Sequence, residues 1–229
     1  MKIDNQEIKI SSEYTFREQG KHIVLFFIKK TGLKSMRSLF KGCNKLLEIS
    51  FKPYINTENV EDMNEMFFYC TSLTSITFSK INTKNIKDMS GMFFSCISLK
   101  LIDLSSFNTE KVENMLDMFL NCTSLTSINI SNFNTKNVIS MSGMFGDCIS
   151  LKSIELSSFN TEKVVRMDDM FYKCTSLTSI NISNFNTKNV KYMERMFYYC
   201  SKLIFIDISN FILIKKKLIY LTIYLKKEL

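Results

Sequence analysis

Proline occurs once, glycine six times and histidine once in these 229 residues. So few chain breakers leave no stretch that reads as a flexible linker between domains. The lone histidine, His22 after Gly20-Lys21, reads as a turn-side residue and leaves a zinc site without imidazole ligands. There is no Ser/His/Asp set, no glycine-rich phosphate loop and no conspicuous carboxylate pair, which argues against an enzyme and against a bound cofactor. Long apolar runs are missing too. Ile23–Ile28 is six residues and Leu218–Leu225 eight, far short of the roughly 20 needed for a transmembrane span. The amino terminus MKIDNQEIKISSEY lacks the apolar core, about 7–15 residues long, of a secretory signal. As given, the chain is therefore expected in the cytoplasm.

The net charge of +8 sits at the ends. Residues 1–34 contribute +3 and residues 212–229 contribute +4, while 35–211 hold 18 basic and 17 acidic groups. A nearly neutral body argues against nucleic acid, which calls for a continuous basic stripe.

What the chain has in quantity is repetition. Its seven cysteines stand at 43, 70, 96, 122, 148, 174 and 200, separated by 27 residues once and by 26 thereafter. A fixed period of this length marks a repeat architecture, so residues 35–211 read as seven repeats of one solenoid. A second order is superposed. SLKLIDLSSFNTEKV (98–112) and SLKSIELSSFNTEKV (150–164) alternate with TSLTSINISNFNTKNV (123–138 and 175–190), which points to a 52-residue duplication unit.

Within one repeat, Val112, Met115, Met118, Phe119 and Cys122 fall on an arc of about 120° at 100° per residue, which predicts a helix of three turns. Asn108 or Thr109 is placed to cap it. The alternation Ile128-Asn129-Ile130-Ser131 predicts a short strand with isoleucine inward. Successive strands must then run parallel. Thirteen of the fourteen methionines lie on the Met-Phe-Cys face and read as core. A column Ile55, Ile81, Phe107, Phe133, Phe159, Phe185, Phe211 follows the strands, and all but the last are followed by an Asn expected to satisfy turn backbone. The cysteines form a line rather than a tetrahedron and are odd in number, so they read as packing rather than metal ligands or a disulfide ladder. Sequons at Asn121, Asn129 and Asn181 arise from the repeat consensus.

With Leu125-x-x-Ile128-x-Ile130 as its strand and NTKNVxxMxxMFxxCxSLxSIxIS recurring at 26, the chain resembles the BspA-type leucine-rich-repeat surface proteins. The resemblance covers about 36–211. It implies a curved solenoid displayed on a cell surface and used in adhesion or partner binding, and it carries no catalytic residues. Residues and resemblance together predict an α/β leucine-rich-repeat solenoid. Each 26-residue repeat is expected to hold one short parallel strand and one short helix, in a curved right-handed stack. Residues 1–34 are expected to form a β-hairpin-like cap with a turn near Gly20. Residues 212–229 are expected to form a divergent cap or tail, for which strand and helix patterns fit equally.

The expected function is protein–protein or adhesion-type recognition, with an intracellular scaffold of the same fold as the alternative. A protein or glycan partner is expected, and the chain itself is expected to be monomeric. The candidate face is the outward strand column, read as Glu48, Thr77, Asp103, Asn129, Glu155, Asn181 and Asp207, in which acid alternates with neutral. At about 4.8 Å per strand the acids stand about 10 Å apart. Lys100 and Lys152, three residues before Asp103 and Glu155, are expected to offset them. Spacing of like charges explains the alternation without function; a polar concave face offered to a partner is the functional reading.

Overall fold

The computed structural model describes residues 32–51, 55–79 and 81–211, together with the backbone of three short strands before them. The chain forms two compact units, Met1–Thr31 and Gly32–Leu229. In the first, β1 (Lys2–Ile3) lies between β2 (Gln6–Glu7) and β3 (Val24–Leu25), antiparallel to both. The turn expected near Gly20 and the tail 212–229 lie outside the described residues.

The second unit is a stack of coils in register. Strands β4 (Glu48–Phe51) and β5 (Ser75–Phe78), β6 (Leu101–Asp103) and β7 (Ser127–Asn129), and β8 (Ser179–Asn181) and β9 (Phe205–Asp207) pair in parallel. Six repeats thus form the expected strand; the stretch 151–156 does not. On another side of the coil, single parallel bridges run without a break from Ser35 through Asp62, Asp88, Asn114, Ser140 and Arg166 to Tyr192.

The predicted helix is absent: among the described residues there is none. Its place is taken by a run of linked turns. Val112, Met118, Cys122 and Leu125 donate their N–H groups to the carbonyls three residues back, at Thr109, Met115, Phe119 and Cys122. Between them, Met115, Asp117, Phe119 and Asn121 donate instead to Ser140, Ser142, Met144 and Gly146 of the next coil, at 2.8–3.0 Å. A helix would close every N–H on its own segment; here half of them tie one coil to its neighbour. Two left-handed residues per coil break the helical path, such as Asp117 (φ 54°) and Asn121 (φ 61°), or Gly143 (φ 60°) and Asp147 (φ 55°). Asp, Asn and Gly tolerate this region best. The apolar steps 112, 115, 118 and 119, 122, 125 have a period of three, which matches turns closed over three residues.

The core is built of columns rather than layers. Phe40, Phe67, Phe93, Phe119, Phe145, Phe171 and Phe197 stack ring on ring, with centroids 5.2–5.6 Å apart and planes within 12°. A second stack joins Phe133, Phe159 and Phe185 at 6.3–6.4 Å. The methionines from Met36 to Met196 are buried beside them. Each buried Phe or Met stabilises by about 1.5–3 kcal/mol of transfer free energy. Each of these side chains contacts only its own and neighbouring coils, so stability accrues coil by coil.

The Asn-Thr motif closes the third edge. Asn108 Oδ1 accepts the Glu110 N–H at 3.0 Å, holding the turn as expected. Thr109 does something the sequence did not indicate. Its hydroxyl donates to the Asn134 carbonyl at 3.1 Å and accepts the Asn134 N–H at 2.8 Å. The same reciprocal pair recurs at Thr57, Thr83, Thr135 and Thr161, so one buried hydroxyl per coil replaces a ladder rung.

Candidate functional site

The strand column is set by register. Ser50 faces Thr77, Asp103 faces Asn129, and Asn181 faces Asp207. This corrects the first rung. The inward pair of β4 is Ile49 and Phe51, so Ser50 stands between them, while Glu48 lies opposite Ser75. Asp103, Asn129, Glu155 and Asn181 are exposed and Asp207 is half-buried.

Each of these side chains is used by its own turn. Asp103, Asn129, Asn181 and Asp207 accept the N–H two residues on at 2.9–3.3 Å, from Ser105, Ser131, Ser183 and Ser209. Glu155 accepts the Ser157 N–H at 2.8 Å. The Ser105 hydroxyl and N–H hold the Asp103 carboxyl below the usual range. Glu155 is likewise held low, by the Ser157 N–H and then its hydroxyl. Acid and amide therefore interchange in this column because both supply the acceptor the strand exit requires.

Lys100 and Lys152 are exposed, and their backbone carbonyls accept the N–H groups of Thr126 and Thr178. Among the described residues neither lysine forms an ion pair with Asp103 or Glu155. The same face carries apolar residues that sequence reasoning passed over. Leu101 is 66% exposed, Phe205 59% and Ile204 86%. They replace the small polar residues of the TSLTSI consensus, and that replacement was the available signal. On this face, then, carboxylates, amides, lysines and exposed apolar side chains stand on one backbone lattice.

The cysteines are placed where packing predicts. Cys70, Cys96, Cys122, Cys148, Cys174 and Cys200 are free and buried, and Cys43 is free and exposed. Each buried thiol donates to the carbonyl of the phenylalanine one coil back, at 3.0–3.3 Å. Burial raises these thiols strongly, Cys70 and Cys200 to about 12, which keeps them inert. Among the described residues no three His, Cys, Asp or Glu side chains converge as a metal centre would require. No helix there is long and apolar enough to cross a membrane.

The turn-run side holds a notch of about 390 Å³ between Leu120 and Tyr172, lined also by Asp117, Asp147, Asp169 and Arg195. Gly146 falls between them in the column Phe68, Phe94, Leu120, Gly146, Tyr172, and a Cβ there would meet the Leu120 side chain at 2.7 Å. The neighbouring column reads Glu65, Gly91, Asp117, Gly143, Asp169, Arg195. Glu65 pairs with Lys41 at 2.7 Å and Asp169 with Arg195 at 2.6 Å. Asp117 lies between two glycines and has no such cation; a Cβ at Gly143 would overlap its Oδ1. Burial, then repulsion from Asp168 and Asp169, pushes the Asp117 carboxyl up to about 6 against a weaker pull from Arg166.

The family model described as "Mycoplasma protein of unknown function, DUF285" matches residues 34–153 and 126–217, most of the chain. No curated protein matches. Among crystal structures, a leucine-rich-repeat protein of T. pallidum (TpLRR) is 21% identical, covering 77% of this chain and 74% of that one, with a TM-score of 0.48. A leucine-rich cell surface protein from Faecalibacterium prausnitzii A2-165 is 18% identical, covering 81% and 65%, with a TM-score of 0.39. A leucine-rich-repeat protein from Bacteroides ovatus is 21% identical, covering 80% and 61%, with a TM-score of 0.33. The chain spans less than two thirds of the last two.

Proposed function

The chain belongs to this DUF285 repeat family, of BspA-like leucine-rich repeats, and on that premise we propose that it is a non-catalytic binding module whose strand face recognises a protein or glycan. The observation that carries the reading is the chemistry of that face. The backbone lattice beneath is largely satisfied within the stack, so the outward side chains that serve no turn are free to vary. At Lys100-Leu101 and Ile204-Phe205 they depart from the small polar consensus toward groups that bury area on contact. Asp103, Asn129, Glu155, Asn181 and Asp207 supply the surrounding polar rim, with Lys100 and Lys152 beside them.

The test separates recognition from turn geometry. Asp103→Asn keeps the acceptor that the Asn129 and Asn181 turns already use while removing the charge, and Leu101→Ser restores the consensus. Screened on arrays of glycans and extracellular proteins, the wild type should bind a defined set, and Leu101→Ser with Asp103→Asn should lose it at unchanged thermal stability. Equal binding by the double variant would sink the strand-face assignment. The free thiol column favours a second reading, an intracellular scaffold of the same fold; protection from protease on intact cells would select it.

A further inference from the structure

The residue after each Asn-Thr threonine is Glu58, Lys84, Glu110, Lys136, Glu162 and Lys188 in successive coils. The reciprocal threonine bonds between coils hold these six in line on the edge, about 4.8 Å apart and spanning about 24 Å. All six are exposed. Their sign alternates without a break.

Pairing within the chain accounts for part of this. Lys84 lies 3.6 Å from Glu58 and Lys136 lies 2.6 Å from Glu110. Exposed pairs of this kind add little to stability, so they give weak reason for the pattern to persist. Nor does recent duplication explain all of it. The near-identical 52-residue copies cover 98–190, whereas Glu58 and Lys84 sit in diverged coils headed by Ile55 and Ile81 rather than phenylalanine, and keep the phase.

An alternating ladder with an even number of rungs is its own complement when reversed end to end. A two-fold axis crossing the edge between Glu110 and Lys136 would set Glu110 against Lys136, Lys84 against Glu162, and Glu58 against Lys188 of a second copy. The column three residues further on obeys the same operation. It places Glu61 against Lys191, Lys87 against Val165 and Glu113 against Ile139, so no like charges meet. Ile139 is 49% exposed and adds apolar surface beside the central rungs. Isologous two-fold contacts require this self-complementarity.

We propose that the Asn-Thr edge is a salt-sensitive docking surface for a second copy of the chain, packed antiparallel about a two-fold axis. The proposal is independent of the strand face and does not rest on the binding reading above.

Sedimentation of the full 229-residue chain, over a concentration series at about 0.02 M and about 0.5 M salt, tests it. Two variants distinguish pairing between copies from pairing within one. Lys136→Glu alone opposes Glu110 of the second copy and should weaken dimerisation by roughly tenfold. Adding Glu110→Lys to the same chain sets the introduced lysine beside Lys84 and the introduced glutamate beside Glu162 within the ladder, which is worse in isolation. Reversed end to end, however, that ladder is complementary again, so the double variant should regain the dimer. Thermal melts check that both variants are folded. A wild type that stays monomeric at low salt, a dimer indifferent to salt, or a double variant no better than the single overturns the proposal.

Discussion

Replacing Asp117 by asparagine should stabilise the protein at neutral pH and leave it unchanged in acid. Asp117 is the one acid of its column without an ion pair among the described residues: Gly91 and Gly143 flank it, and repulsion from Asp168 and Asp169, in the next coil but one, outweighs the pull of Arg166. Its carboxyl is raised from an ordinary value of about 3.9 to about 6. At 1.36 kcal/mol for each tenfold change in proton affinity, that is about 3 kcal/mol against the ionised folded form. The group is only partly buried, and solvent screening reduces the net penalty to about 1–2 kcal/mol. The sign follows from the folded value lying above the unfolded one. Above about 6 the penalty is fully present, and it disappears as pH falls through about 6 toward about 4. Asparagine keeps the shape beside Gly143 without the charge. Melting followed by circular dichroism should therefore give a variant roughly 2–8 °C more stable at pH ~8, converging on the wild type near pH ~4. A variant no more stable at neutral pH, or one whose gain is the same at every pH, refutes the account of Asp117 as an uncompensated carboxylate.

Thr109→Val should lower stability by about 1–3 kcal/mol, because it leaves the Asn134 N–H and carbonyl without the hydroxyl that serves both. Thr109→Ser, which keeps the hydroxyl, should cost markedly less in denaturant titration. Thiol labelling of the native protein at mildly alkaline pH should modify Cys43 alone of the seven cysteines, the other six reacting only on unfolding; partial burial raises the Cys43 thiol too, so its labelling should be slow. Fast labelling of Cys122 in native protein would contradict the buried column.

The parts of the fold that were legible are those where one residue answers to one local requirement. Met115, Met118, Phe119 and Cys122 were readable as core because burial depends on which side chains face inward, and an arc of 120° says that for a helix or a turn run alike. The helix itself was misread for the same reason. Whether the Met115 N–H bonds four residues back or reaches Ser140 depends on a coil 26 residues away, and no window on a single repeat contains that partner. The period of three in 112, 115 and 118 was the only local trace. Asn108 was legible as a turn residue because its bond is to Glu110; Thr109 was not, because its partner is Asn134. On the candidate face, exposure of Asp103 and Asn129 followed from alternation, but their engagement by Ser105 and Ser131 did not.

By itself the sequence determined the repeat, its length, the inward columns and the alternation of charge along one edge. These are properties of spacing, and duplication writes spacing directly into the chain. Only the tertiary structure decided how each backbone donor is satisfied, which acids stand alone and which face collects exposed leucine and phenylalanine. Those depend on contacts between coils 26 residues apart. Asp117 shows the division. Its residue type is plain in the sequence, but its isolation exists only because Gly91 and Gly143 stack on either side of it.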